Sequence, residues 1–130
     1  MLLSTFNVAI IQDMPRQRRS SSDGLRREND PALLVLMSLA SNPKHGHALI
    51  VDIESFAGVR LGPGTLYGAI ARLEGDALIE PLEPEGRRRP YRITESGAES
   101  LGQILAELKQ VVREGEARLA ILRPLFGSLP

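Results

Sequence analysis

KHGHALIVDIESFAGVRLGPGTLYGAIARLEG, residues 44–75, is the stretch on which the fold turns. Leu49, Ile50 and Ile53 recur at helical spacing while Asp52 and Glu54 face away, so a helix is predicted from about Gly46 to Ala57, stopped by Gly58. Val59 to Gly64 is a short, turn-rich link. A further helix is predicted from Gly64 to about Gly75, with Leu66, Ile70 and Leu73 on one stripe and Ala77 extending it. Thr65, Gly68 and Arg72 fall roughly opposite, and Tyr67, Ala71 and Glu74 on one flank. Two helices joined by a compact turn make a helix-turn-helix, provided a third helix covers their apolar stripes.

That third helix lies just upstream. Asp30 followed by Pro31 is an N-cap with proline at the first helical position, and Leu33, Leu34, Leu36, Met37 and Ala40 are apolar on nearly every side. A helix apolar all round is a buried one, and Asn42-Pro43 ends it. Downstream the period changes to two. Ile79 to Glu83 and Arg89 to Ile93 read as short strands, with Tyr91 and Ile93 on one face and the turn at Glu85-Gly86. Pro81, Pro84 and Pro90 confine the hairpin to a sheet edge. Thr94 then caps a long helix whose stripe is Leu101, Ile104, Leu105, Leu108, Val111 and Val112, continued past Gly115 by Leu119 and Leu122. The stripe outruns what a small domain can cover, so these six residues are the candidate homodimer contacts, folding back on the first helix being the alternative.

The fold class expected is therefore mostly α (α+β): a winged helix-turn-helix over residues 31–94 and a dimerisation helix with tail over 95–130. The remaining residues, 1–30, are expected to be an N-terminal arm, of which 12–30 carry Arg16, Arg18, Arg19, Arg26 and Arg27 among acids and serines with no apolar period. They read as a flexible arm, either a solvated leader or a strand of guanidinium groups for a polyanion.

The 130 residues suffice for one ordinary domain, and sixteen basic residues balance sixteen acidic ones. Composition gives no reason to suspect nucleic acid, but fourteen of the bases are arginine, the side chain suited to planar contact with phosphate. No cysteine is present, which excludes disulfides and thiolate metal sites and suits a reducing, cytoplasmic setting. No apolar run approaches the ~20 residues a bilayer requires. Two histidines, no cysteine and no glycine-rich phosphate loop after a strand leave little for catalysis. Asp52 and Glu54, two apart on a helix, do not face each other. Neither an enzyme nor a cofactor or metal site is expected.

Arginine position is more telling than arginine number. Arg87, Arg88 and Arg89 stand together at the hairpin tip, where three like charges repel and an anionic partner relieves the cost. Gly64, Thr65, Tyr67, Gly68 and Arg72 are the candidate duplex-facing residues of the third helix, with Arg72 suited to guanine or phosphate and Thr65 and Tyr67 to the backbone. Lys44 and His45 are candidate phosphate contacts before the second helix. Few of these side chains can read bases, so shape and dimer spacing are expected to supply much of the selectivity. A winged helix that binds a protein partner instead of DNA is the rival reading.

Four blocks in this order resemble the PadR family of bacterial transcriptional regulators. They are Lys44 to Leu49, Gly62 to Tyr67, Arg72-Leu73-Glu74 with Leu78-Ile79-Glu80, and Gly86 to Gly97. The resemblance spans about residues 32–112 and implies a homodimeric repressor that binds double-stranded operator DNA and is released by a small-molecule effector. The short C-terminal region resembles members with one dimerisation helix. Departures are His47 where tyrosine is usual, Gly68 where proline is common, and Ala77 where glycine is frequent, with Gly75 expected to take over that turn. The chain has no tryptophan, so the aromatic sandwich some members use for flat ligands does not carry over.

Overall fold

The computed structural model describes residues 30–126; the arm expected before residue 30 lies outside them. Helix α1, Pro31–Ser41, opens as its sequence requires. The Asp30 carboxylate accepts from the Ala32 N–H at 3.0 Å, and Pro31 occupies the first position, where no amide is missed. Its residues from Ala32 to Leu36, with Ser38 and Leu39, are buried, so it is the central pillar of the domain.

Helix α2, Gly46–Ala57, and helix α3, Pro63–Gly75, pack their stripes on that pillar. Leu49, Ile50 and Ile53 come from α2, and Leu66, Ala69, Ile70 and Leu73 from α3. Gly58 ends α2 at φ +70°, a conformation that costs glycine nothing, and its N–H donates to the Glu54 carbonyl at 2.9 Å. Leu61, buried, anchors the turn between the two helices. Ser38 is one of the polar residues buried in the core: its hydroxyl donates to the Asp52 carboxylate at 2.6 Å, tying α1 to α2.

The end of α3 departs from expectation. The Leu78 N–H reaches the Leu73 carbonyl at 2.9 Å and the Ala77 N–H reaches that of Glu74 at 3.0 Å, the paired bonds of a Schellman cap. Gly75 stays within the helix, so it does not take over the turn. Ala77 adopts the left-handed conformation itself, at φ +61°, and is exposed instead of extending the stripe; Leu78 is the buried residue there.

Strands β1, Ile79–Pro81, and β2, Tyr91–Ile93, pair antiparallel with Ile79 opposite Ile93. Both are shorter than their sequences suggest, because Pro81, Pro84 and Pro90 supply no amides to lengthen the ladder. Beyond them, Glu85 and Arg88 exchange backbone bonds at 2.7 and 3.1 Å around a two-residue turn. Its centre is Gly86-Arg87, one residue later than expected, with Gly86 at φ +65°.

Helix α4, Glu95–Phe126, runs without interruption through Gly115. The Thr94 hydroxyl accepts from the Gly97 N–H at 3.0 Å and donates to the Ala77 carbonyl at 2.8 Å. A Cβ on Gly97 would overlap the Leu78 carbonyl, so glycine is required for this approach. Gly97, Ser100, Leu101 and Ile104 are buried within the chain's own core and Leu108 is half-buried against it. This corrects part of the expected dimer stripe: Leu101 and Ile104 hold α4 to α1 and have no surface for a second copy. From Lys109 to Phe126 every residue is exposed. The architecture is a winged helix-turn-helix carrying a long C-terminal helix.

Candidate nucleic-acid interface

Residues 44–46 hold the candidate surface together. The Lys44 main chain pairs with Tyr91, N–H to carbonyl at 3.1 Å and carbonyl to N–H at 2.9 Å, so it adds a third segment to the edge of the hairpin. His45 caps α2, its Nδ1 accepting from the Ala48 N–H at 3.4 Å. Its other ring nitrogen, Nε2, lies 3.4 Å from Nη1 of Arg88 at the hairpin tip. Gly46 is buried beneath Tyr67 of α3, and a Cβ there would overlap the phenol oxygen. The tip and α3 thus flank one tripeptide.

On α3, Gly64, Thr65, Tyr67, Gly68 and Ala71 are exposed. No atom would obstruct a Cβ at Gly64 or Gly68, so their smallness serves nothing inside the chain and leaves the helix backbone open to close approach from outside. Arg72, expected to be exposed, is half-buried in the last turn and has an interaction of its own. At the hairpin Arg87, Arg88 and Arg89 are exposed, and among the described residues no ion pair involves them. The neighbouring Glu83 and Glu85 carboxylates form no ion pair with them. Arg89 Nη1 donates to the Leu82 carbonyl at 3.1 Å, which braces the hairpin and directs its guanidinium. Arg92, by contrast, is neutralised across the strands by Glu80 at 2.5 Å.

Lys44 is the clearest correction. Its Nζ turns inward and donates to the Ser38 carbonyl at 2.5 Å and to the Ser41 hydroxyl and Asn42 side-chain carbonyl, both at 2.8 Å. An ammonium has three protons, and these acceptors take them, so Lys44 has none to offer a phosphate. The cause is local. The carbonyls ending α1 carry the negative end of its dipole, and a lysine two residues after the break can reach back to them.

Tyr91 lies half-buried between hairpin and helix. Partial burial, and then the nearby Glu74 carboxylate, push its phenol above the usual value. The Gly46–Tyr67 approach was not anticipated; its one trace in the sequence is a glycine directly after the capping residue. Among the described residues no group of three His, Asp or Glu could hold a metal ion, and no helix is long and apolar enough to cross a membrane.

Comparison with known proteins agrees with this arrangement. Residues 35–103 match the Transcriptional regulator PadR-like family. The chain is 39% identical over 85 residues to Transcriptional regulator Rv3488 of Mycobacterium tuberculosis, covering 63% of this chain and 78% of that one. It is 53% identical over 75 residues to an uncharacterized 37.1 kDa protein in transposon TN4556 of Streptomyces fradiae, which takes in 58% of this chain but spans only 22% of that protein's length. Among solved structures, a PadR family transcriptional regulator from Eggerthella lenta superposes with a TM-score of 0.62 at 27% identity, covering 89% of this chain and 96% of the other. A transcriptional regulator from Clostridium thermocellum gives 0.60 at 26%, covering 66% and 89%. These relatives named for a role are regulators of transcription and not enzymes. The match over residues 35–103 places this chain in the PadR-like family of transcriptional regulators.

Proposed function

We propose that the protein binds double-stranded operator DNA as a homodimer and represses transcription by occupying it, with α3 in the major groove and the hairpin wing on the adjoining backbone. The observation that carries this reading is the 3.4 Å approach of Arg88 Nη1 to His45 Nε2. The guanidinium and the imidazole ring lie within hydrogen-bond reach of one another, so the wing tip is held against the start of α2. A guanidinium has five N–H donors, so Arg88 held in this way still has others to offer a phosphate oxygen. Arg87 and Arg89 extend the same cationic edge, while Thr65, Tyr67 and Gly68 form the open side of α3. The residues of this proposal are thus Gly64, Thr65, Tyr67, Gly68, Arg72, Arg87, Arg88 and Arg89.

Dimerisation is supported by the far part of α4. Leu105, Leu108, Val112, Leu119, Leu122 and Phe126, with Gly115, alternate at intervals of three and four, the seam of a coiled coil. Of these, Leu105, Val112, Leu119, Leu122 and Phe126 are exposed in the single chain. Val111, on the neighbouring face, is exposed but out of phase with that seam. The division of labour proposed is a DNA-binding unit over 31–94 and a dimerisation helix over 95–130, whose first turns also complete the core of the former. Release by a small-molecule effector and residence in the cytoplasm belong to the same reading.

The test is binding to genomic fragments selected on the immobilised protein. Arg88→Glu is expected to weaken every selected duplex while the protein stays folded and dimeric. A variant that binds as tightly as the parent contradicts the wing assignment.

A further inference from the structure

Lys44 sends its side chain and its main chain in different directions. The ammonium, on a side chain only 10% exposed, sits among oxygens of Ser38, Ser41 and Asn42, with the Asp52 carboxylate 3.7 Å away. Those oxygens belong to the end of α1, to the following loop and to α2. The main chain is bonded in both directions to Tyr91 of β2. The next two residues meet the wing tip through Arg88 and the recognition helix through Tyr67. A single side chain therefore fixes the segment on which both halves of the candidate surface rest.

We propose that Lys44 is a positioning residue for duplex recognition: it sets the wing against α3 through Tyr91, His45 and Gly46 and does not touch DNA. The inference rests on the DNA-binding reading above. Two contact surfaces joined rigidly engage as one, because the second meets its phosphates at high effective concentration once the first is docked. Without the ammonium, the loop from Asn42 to His45 loses its attachment to α1 and α2. The Lys44–Tyr91 pairing then frays, and the wing no longer stands at a fixed angle to α3. The phosphates contacted stay the same; the probability of meeting them together falls.

The full chain is compared with Lys44→Met, which keeps the aliphatic stem and removes the charge. A second variant, Asn42→Ala, removes one exposed acceptor of the ammonium and leaves the core alone. Affinity for a duplex selected by the parent is measured by fluorescence anisotropy over a range of salt, at a temperature where circular dichroism shows each protein folded. Amide exchange at Tyr91 is followed by NMR. Lys44→Met is expected to bind about tenfold more weakly with the parental dependence of log K on log salt, since no phosphate contact is lost. Tyr91 exchange is expected to quicken while the amides of α3 keep their rates. Asn42→Ala is expected to shift both readouts the same way by a smaller factor.

A salt dependence shallower by about one counterion per protomer would mean that Lys44 holds a phosphate, and overturns the proposal. Unchanged affinity in folded Lys44→Met overturns it too; where that variant does not fold, unchanged affinity and exchange in Asn42→Ala do so. A parent that binds no duplex contradicts the DNA reading, and Tyr91 exchange still decides whether Lys44 holds the wing.

Discussion

The phenol of Tyr67 lies directly over Gly46, so close that a Cβ on the glycine would overlap its oxygen. The contact joins α3 to the start of α2 at the point where His45 meets Arg88. Tyr67 is nevertheless 51% exposed, so its ring has room to swing outward.

Gly46→Ala separates folding from recognition. Alanine favours the helix by up to about 1 kcal/mol over glycine, which offsets the displacement of an exposed ring. The melting temperature is expected to stay within a few degrees of the parent's, while duplex affinity falls because Tyr67 no longer stands where it anchors the backbone. Parallel thermal denaturation and anisotropy titrations check this; a large loss of stability would show that the ring cannot move.

Ala77 occupies a left-handed position that suits glycine, at φ +61°. An L-residue there costs roughly 1–2 kcal/mol, partly offset by the lower entropy of alanine in the unfolded chain. Ala77→Gly is expected to raise stability by about 1 kcal/mol without altering DNA affinity. Urea denaturation gives the first number and anisotropy the second.

The three helices were legible from their apolar stripes, and two of their ends from local signals, Asp30-Pro31 at the start of α1 and Gly58 after α2. The wing was legible as a charge pattern, yet its turn lies one residue on, at Gly86-Arg87, where a positive φ falls on the glycine. Ala77 was not legible, since nothing in an alanine announces a left-handed backbone imposed by the bonds around it. Lys44 was misjudged for a related reason. The direction of a long cationic side chain depends on acceptors from three elements, and only the fold brings those together. Periodicity likewise gave the apolar face of α4 but not what covers it. The chain's own α1 takes Leu101 and Ile104, leaving the rest of the stripe for another surface.

That division makes two substitutions on one helix behave differently. Leu101, 7% exposed, is core, and Leu101→Ala is expected to cost about 2–4 kcal/mol in denaturation. Leu122, 42% exposed, touches nothing that the fold needs, and Leu122→Asp is expected to leave helical content intact while producing monomers in sedimentation velocity. A Leu122→Asp protein that remains dimeric would place the interface elsewhere.

The most direct measurement is the salt dependence of duplex binding, between about 50 and 200 mM, for the parent and for a variant with Arg87, Arg88 and Arg89 all changed to alanine. The parent is expected to lose affinity steeply and linearly on a log–log scale, and the variant to bind more weakly with a slope shallower by several counterions per dimer. Binding indifferent to salt, or equal slopes for the two proteins, would contradict a wing that grips phosphate beside the recognition helix.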